Sequence, residues 1–336
     1  MTGMTRRSGG AAVGTVALAL GAASVGALLW GTLVERRWFA LRQVSAPVLP
    51  SGAKPIRVLH VSDLHMAPWQ RDKQEWIRSL AAFAPDLIVD TGDNLGHQRG
   101  FEGVEYALEP FKGTPGVFVN GSNDYYGPIP KNPMRYFTGP SSTQVQPSNL
   151  DTSELTGFFA DELGWVDLNN HAGALTVNGT RLELFGVDDP HRNFDRLDRV
   201  TGELDELRAS EVTDGAWKGD ATGTKPTVAI GVAHAPYRRI LDSFVTNGAS
   251  MIFAGHTHGG QVCVPGFGAL VTNCDLPRRQ AKGLSTWTHA LRVAYLNVSA
   301  GLGTSIYSPV RFACRPEASL ITLVPHDTTF DGTNIR

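Results

Sequence analysis

The sequence predicts an α/β fold with a largely parallel sheet, set behind one uncharged N-terminal helix. Two observations carry this. From Pro55 onward, short β-branched runs alternate with stretches whose apolar residues recur at helical spacing, the rhythm of consecutive βα units. Before that point, residues 11–34 contain neither charge nor proline, over a length able to span a bilayer, which takes about 20 apolar residues. At 336 residues, 42% of them hydrophobic, the chain has material for one large domain or two small ones.

The N-terminal stretch AAVGTVALALGAASVGALLWGTLV follows Arg6 and Arg7 and runs into Glu35, Arg36, Arg37 and Trp38. A cleaved signal peptide has a shorter apolar segment and small residues at its cleavage site. Here the segment ends in bulky Leu33 and Val34 before a charged cluster, so a retained single-pass membrane anchor over 11–34 is expected, with 1–10 as a tail. Arg6 and Arg7 on one side nearly balance Arg36, Arg37 and Arg42 on the other, which leaves its orientation open.

Residues 35–54 read as a connector punctuated by Pro47, Pro50 and Gly52. The domain then runs from 55 to 325. IRVLHVS (56–62) reads as a strand, and RDKQEWIRSLAAFA (71–84) as a helix carrying Trp76, Ile77, Leu80 and Phe83 at helical spacing. DLIVDTG (86–92) is a second strand, FEGVEYALEPFK (101–112) a second helix and GVFVN (116–120) a third strand. Residues 128–160, richer in Pro, Ser and Thr, read as a surface insertion. Asn178-Gly179 between two alternating runs (173–187) signals a hairpin. A helix at 193–208, an exposed loop at 213–225, a strand at 227–233 and a helix near 237–247 follow. Strands at 250–255, 291–299 and 318–324 and a tail at 326–336 complete the reading.

Thirty Lys and Arg against thirty-two Asp and Glu give a net charge of −2, so no basic excess points to nucleic acid. Cys263, Cys274 and Cys314 are odd in number and widely spaced, which excludes a disulfide framework or a CxxC metal knot.

Ligands of open α/β sheets sit beyond the carboxyl ends of strands. There the chain places Asp63-Leu64-His65, Gly92-Asp93-Asn94, Gly121-Ser122-Asn123-Asp124, His234-Ala235-Pro236 and His256-Thr257-His258-Gly259-Gly260. One such Asp is ordinarily a helix cap, and a lone His is ordinarily a packing or surface residue, as His60, His97, His171, His191, His289 and His326 are read here. Five strand ends carrying such residues need another explanation. Carboxylate and imidazole donors together suit divalent Mn, Fe, Zn, Co or Ni, and the absence of cysteine ligands argues against structural zinc. Seven donors exceed the needs of one tetrahedral ion but serve two ions that share a carboxylate, an arrangement that clamps phosphoryl oxygens and generates a nucleophile.

The order D-x-H, G-D, G-N-H-D, H, G-H-x-H resembles that of the calcineurin-like metallophosphoesterases, over roughly residues 55–325. The DLH and GHTHGGQ forms resemble the bacterial membrane-associated branch, which includes enzymes similar to UDP-diacylglucosamine pyrophosphatases. The resemblance implies a four-layer αββα sandwich of two mixed sheets. It also implies that Asp63, His65 and His258 hold one ion, Asp93 bridges, and His234, His256 and a third-block residue hold the second. That block departs from the family: Ser122 stands where the family has the ligand Asn, and Asn123 where it has a His that assists the reacting phosphate, with Asp124 orienting that group. Asn123 is expected to enter the metal shell through a backbone shift after Gly121. The alternative keeps register, with Ser122 or water completing the second site.

The leading expectation is a membrane-anchored dimetal phosphohydrolase acting on a phosphoester or pyrophosphate, with a lipid-linked or cell-envelope phosphate as one target. A metal-binding or scaffold protein of weak activity is the alternative, because of the altered third block; a mononuclear amide or ester hydrolase is a third reading. Phe137, Phe158, Phe159 and Trp165 are candidates for an apolar lid, against the plainer reading that they pack beneath a loop.

Overall fold

The computed structural model describes residues 8–128, 149–213 and 227–328. Residues 214–225 of the loop expected at 213–225, Phe137, most of the insertion read at 128–160, and most of the two tails at 1–10 and 326–336 lie outside the described residues.

An apolar helix, α1 (Ser8–Leu29), continues through a wide helical turn at Trp30–Val34 and a tight one at Glu35–Arg37. From Thr15 to Leu29 its side chains are exposed, Ala27 excepted in part, with Leu18 77% and Leu20 65% accessible. The segment Thr15–Arg37 is long and apolar enough to cross a membrane. Its foot is docked. Arg311 N–H donates to the Gly31 carbonyl at 3.1 Å, Glu35 accepts from Trp30 Nε1 at 2.8 Å and from Cys314 N–H at 2.6 Å, and Arg315 donates to the carbonyls of Trp38 and Phe39, both at 2.8 Å. Gly31 permits this approach, since a Cβ there would meet the Arg311 carbonyl oxygen at 2.6 Å.

The connector expected at 35–54 is corrected here: it contains a ten-residue strand, β1 (Ala40–Leu49). β1 runs parallel to the last strand, β14 (Glu317–Pro325), from Ala40↔Glu317 to Pro47↔Val324, and shifts register between Pro47 and Leu49. Proline is compatible with this place because β1 is an edge strand and the irregularity falls beside Pro47.

Among the described residues the first sheet has the order β1-β14-β2-β3-β4-β5, where β2 is Ile56–Val61, β3 Leu87–Asp90, β4 Gly116–Phe118 and β5 Val166–Asp167. The second has the order β12-β13-β9-β8-β7-β6. Its strands are β6 (His171–Val177), β7 (Thr180–Val187), β8 (Thr227–Ala233), β9 (Met251–Ala254), β12 (Gly283–His289) and β13 (Arg292–Val298). A short ribbon of β10 (Cys263–Val264) and β11 (Gly268–Ala269) stands apart. Both large sheets are mixed: β14 is antiparallel to β2, and β6 and β12 are antiparallel to their neighbours. The Asn178-Gly179 turn joins β6 and β7 with positive φ at both residues, as such a two-residue hairpin loop requires.

Three apolar layers separate four structural ones. Between the sheets, Val58, Val89, Val117 and Ile321 meet Leu182, Ile230, Val232 and Phe253. Outside the first sheet, Leu59, Ile88 and Phe118 pack on α2 (Arg71–Ser79) and α3 (Phe101–Leu108) through Ile77, Val104 and Leu108. Outside the second, Phe185, Ile252 and Leu296 pack on α6 (Leu197–Thr213) and α7 (Arg238–Thr246). The apolar face of α7 (Ile240, Leu241, Phe244, Val245) is buried to within 1%, and each such side chain stabilises the fold by roughly 1.5–3 kcal/mol. This is the αββα sandwich. Phe158, Phe159 and Trp165, which follow the short helix α5 (Thr152–Gly157), form no lid: all three are buried in the layer beneath α3, with Phe159 stacked on Trp165 at 5.3 Å.

Parallel register aligns the strand ends that matter. Val61 pairs with Asp90 and Asp90 with Phe118 in one sheet, and Ala233 with Ala254 in the other. The loops that follow therefore emerge along one edge of the sandwich.

Candidate metal centre

Five of the expected ligands have left-handed backbone: Asp63 (φ 49°), His65 (40°), Asp93 (57°), His256 (67°) and His258 (49°). Such conformations cost of order 1–3 kcal/mol for non-glycine residues and persist where the surroundings enforce them. The surroundings here are other backbone. Asp63 and His65 donate their N–H groups to the Gly92 and Asp93 carbonyls at 2.8 and 2.9 Å, Leu302 and Gly303 donate to Ser62 and Asp63 at 3.1 and 2.6 Å, and Gly255 donates to His234 at 2.8 Å. Gly255 lets the two sheets' loops touch, since a Cβ there would lie 2.7 Å from Asp63 Oδ2.

The side chains converge. Asp63, His65, Asp93 and His258 bring one donor atom each within 4.8 Å of all the others. His65 Nε2 and His258 Nε2 are 3.2 Å apart, His65 Nε2 and Asp93 Oδ2 3.5 Å, and His258 Nε2 and Asp63 Oδ1 3.5 Å. Bonds of about 2.0–2.1 Å to a tetrahedral ion put its donors about 3.3 Å apart, so these edges fit a divalent ion. Asp63 Oδ1 is buried and has no hydrogen-bond partner among the described residues, the state of an oxygen that awaits a cation.

A second group adjoins the first. His234 Nε2 is 3.5 Å from Asp93 Oδ1, and His256 Nδ1 is 3.3 Å from His234 Nε2. Asp93 thus turns Oδ2 toward His65 and Oδ1 toward His234, as a shared carboxylate must. Three of the remaining ring nitrogens are engaged. His234 Nδ1 donates to the Thr91 carbonyl at 2.7 Å and His258 Nδ1 to that of Gly303 at 3.2 Å, which turns the two Nε2 atoms toward Asp93 and Asp63. His256 Nε2 donates to the Asn273 carbonyl at 3.2 Å, which leaves its Nδ1 free.

The third block, a four-residue helix α4 (Ser122–Tyr125), divides its labour. Asn123 donates its N–H to Asp93 Oδ1 at 2.8 Å and its Nδ2–H to Asp93 Oδ2 at 2.6 Å, so it lies against the shared carboxylate. Ser122 turns the other way and donates to Asp189 Oδ2. Asp124 is fully buried and accepts the N–H groups of Gly121 and Asp93, both at 2.8 Å, and of Asn94 at 2.7 Å and Leu95 at 3.3 Å. It orients backbone rather than a neighbouring side chain.

Electrostatics favour cation uptake. Burial pushes His65 and His258 down to about 3 and His256 well below its usual value, so these rings present lone pairs at neutral pH. Burial works to raise Asp93, yet His234, His65 and Asn123 hold it below the ordinary carboxylate range. His234 differs: burial lowers it, but Asp93, Asp63 and Asp189 outweigh that and lift it to about 9, so an arriving cation displaces its proton.

Four neighbours escaped the sequence reading. Asp189, fully buried and pushed up to about 6 by burial, bonds Ser122. His191, read as a packing residue, lies 4.6 Å from the His256 ring, centroid to centroid, and 3.0 Å from the Tyr237 hydroxyl. Asn273 holds His256. Arg311, fully buried, donates to the carbonyls of Ala300, Gly301 and Gly303 at 2.7, 3.0 and 2.7 Å. A signal for the first two was present: β7 ends at Val187 and delivers Asp188-Asp189-Pro190-His191 to the same edge as the other strands.

The calcineurin-like phosphoesterase family matches residues 56–260. Bacillus subtilis YpbG, described as an uncharacterized protein, is 26% identical over 319 residues, covering 93% of this chain and 96% of its own. An uncharacterized metallophosphoesterase of Aquifex aeolicus is 24% identical over 280 residues, 82% of this chain and 87% of its own. A Bos taurus protein described as a transmembrane protein with a metallophosphoesterase domain is 25% identical over 231 residues, which are 66% of this chain and 45% of its own.

Proposed function

This chain belongs to the calcineurin-like phosphoesterase family, and we propose that it is a membrane-anchored dimetal phosphohydrolase that cleaves a phosphoester or pyrophosphate bond, with lipid-linked or cell-envelope phosphates as its targets. The observation that carries the reading is Asp93, whose two oxygens face two separate imidazole groups at 3.5 Å. Asp63, His65 and His258 would hold the first ion, Asp93 would be shared, and His234, His256 and Asn123 would hold the second. Ions bound there supply Lewis acidity toward a phosphoryl oxygen and a nucleophile from water near neutral pH.

The chain's own groups do the rest. Thr91, Gly303 and Asn273 carbonyls fix which ring nitrogen each histidine presents. Asp124 fixes the Asp93 loop against α4. Asn123 can donate a hydrogen bond to a phosphoryl oxygen beside Asp93 but has no proton to transfer, so leaving groups that depart unaided are preferred. The exposed apolar face of α1 and the name of the Bos taurus relative support the anchor. Retention of the anchor is supported by its docked foot, because cleavage at the end of the apolar run would remove the Gly31 contact and the Trp30 indole that donates to Glu35.

The test uses the full chain purified in a neutral detergent. Two equivalents of divalent metal by elemental analysis, manganese-dependent hydrolysis of a phosphodiester, and loss of both after chelation are the expected results. One equivalent of metal with amide or ester hydrolysis, or two equivalents without phosphoester turnover, overturns the reading.

A further inference from the structure

Beside the metal centre, at the foot of α1, lies a cavity of about 200 Å³ whose lining includes Arg36, Arg37 and Lys73. Arg36 and Arg37, adjacent in the chain, share this lining, so like charges crowd one another. Asp72 is the acid on the described lining, while the nearby Glu35 carboxylate is engaged with Trp30 and Cys314. Arg36 Nε is buried without a hydrogen-bond partner among the described residues. Lys73 is buried and donates to the Leu64 carbonyl at 2.5 Å. Arg36, Arg37 and Arg71 outnumber Asp72 and the nearby Glu35, and this excess of positive charge favours an anionic ligand.

The position and shape of the cavity narrow the choice. Its volume is below the roughly 300–1,000 Å³ of pockets that enclose whole ligands, so it admits a small head and leaves the remainder outside. Phe39 and Trp69 line it, and Trp38, 51% exposed, stands between Arg37 and Phe39 in the chain. Tryptophan beside arginine at the end of an apolar helix is the composition of a bilayer's headgroup layer. On the inner side the lining is Leu302-Gly303, and Gly303 also holds Asp63 and His258 in place.

We propose that this cavity binds the phosphate headgroup of an anionic lipid, at a site separate from the metal centre and sharing one wall with it. The proposal rests on reading α1 as a membrane anchor. The probes are dihexanoyl phosphatidic acid, dihexanoyl phosphatidylcholine and inorganic phosphate, each titrated into the full chain in neutral detergent and followed by tryptophan fluorescence. Phosphatidic acid should bind roughly tenfold or more tightly than either of the others. The double variant Arg36→Gln/Arg37→Gln should lose that preference, Arg36→Lys/Arg37→Lys should keep most of it, and Asp93→Ala should leave it intact. Circular dichroism of each variant establishes that it is folded. Equal binding by inorganic phosphate, full binding by the glutamine variant, or loss in Asp93→Ala overturns the proposal. Release of the full chain from membranes by alkaline carbonate refutes the anchor by itself, and is read independently of the micelle titration.

Discussion

The carboxylate of Asp124 accepts the N–H of Asp93 at 2.8 Å, so the loop after β4 fixes the loop after β3. Four backbone N–H groups end on this one buried side chain. Asp124→Asn keeps the volume but brings an NH₂ against donors. Unsatisfied buried groups cost about 1–3 kcal/mol each, so a loss of roughly 2–4 kcal/mol in unfolding free energy is expected. Chemical denaturation measures it, and a change below about 1 kcal/mol would contradict the clamp.

Asp93→Ala removes the carboxylate both imidazole groups face. Elemental analysis should show the content fall well below two ions, with phosphoesterase activity at background even in excess manganese. His258→Ala touches one group alone and should leave the second ion bound. Two ions retained in the Asp93 variant would end the shared-carboxylate assignment.

His60 gives a pH signature apart from the metals. It lies between Thr91 Oγ1, 3.0 Å from Nε2, and Asn297 Nδ2, which donates to Nδ1 at 2.8 Å. Burial pushes it down to about 3. The unfolded chain therefore binds a proton that the folded chain refuses once pH falls below about 6.5. The stability linked to neutral His60 is complete above that value and is lost toward about 3, at about 1.4 kcal/mol per pH unit. Denaturant melts of the native chain and His60→Gln between pH 7 and 4 should differ by that slope, and parallel curves would contradict it.

Asn123 carries the prediction on specificity. General acid assistance is worth about 10²–10⁴ in rate, and a carboxamide gives none. Rates for a series of aryl and alkyl phosphodiesters should fall steeply as leaving-group pKa rises. A flat series with chemistry rate-limiting would show that another acid has taken over, and His191, beside His256, is the first candidate to mutate.

Gly31→Val tests the docked foot of α1. Its side chain would enter space held by the Arg311 carbonyl, 2.6 Å from the Cβ position. Overpacking of this kind costs about 1–3 kcal/mol. The variant should melt lower yet still sediment with membranes after carbonate washing, while deletion of 1–34 should abolish sedimentation. A variant as stable as the parent would mean that the foot is free.

The motif-bearing strand ends were legible because each combines a short apolar run with polar residues that packing alone does not need. Asp63, His65, Asp93, His234, His256 and His258 do lie together. β1 was not legible, since Pro47 and Pro50 mark a connector unless the strand is known to lie at an edge. β12 was not legible for a similar reason: its exposed Thr286 and Thr288 alternate with half-buried Ser285, Trp287 and His289 at an edge, with little apolar signal. The division into two sheets rests on pairings such as Ser319↔His60, far apart in sequence and silent in any local pattern. Asp189 and His191 carry little signal of their own, because Asp188-Asp189-Pro190 after a strand reads equally as an ordinary polar turn.

β1 begins at Ala40, three residues after the turn that ends at Arg37, so no slack lies between α1 and the catalytic layers. An enzyme held this way, with α1 in a bilayer, works at a fixed height, like a reading head on an arm. Its turnover would follow the mole fraction of substrate within the membrane plane, and bulk concentration would matter only through partitioning. Diluting a lipid phosphate with neutral lipid should slow it even where the total amount of substrate is unchanged.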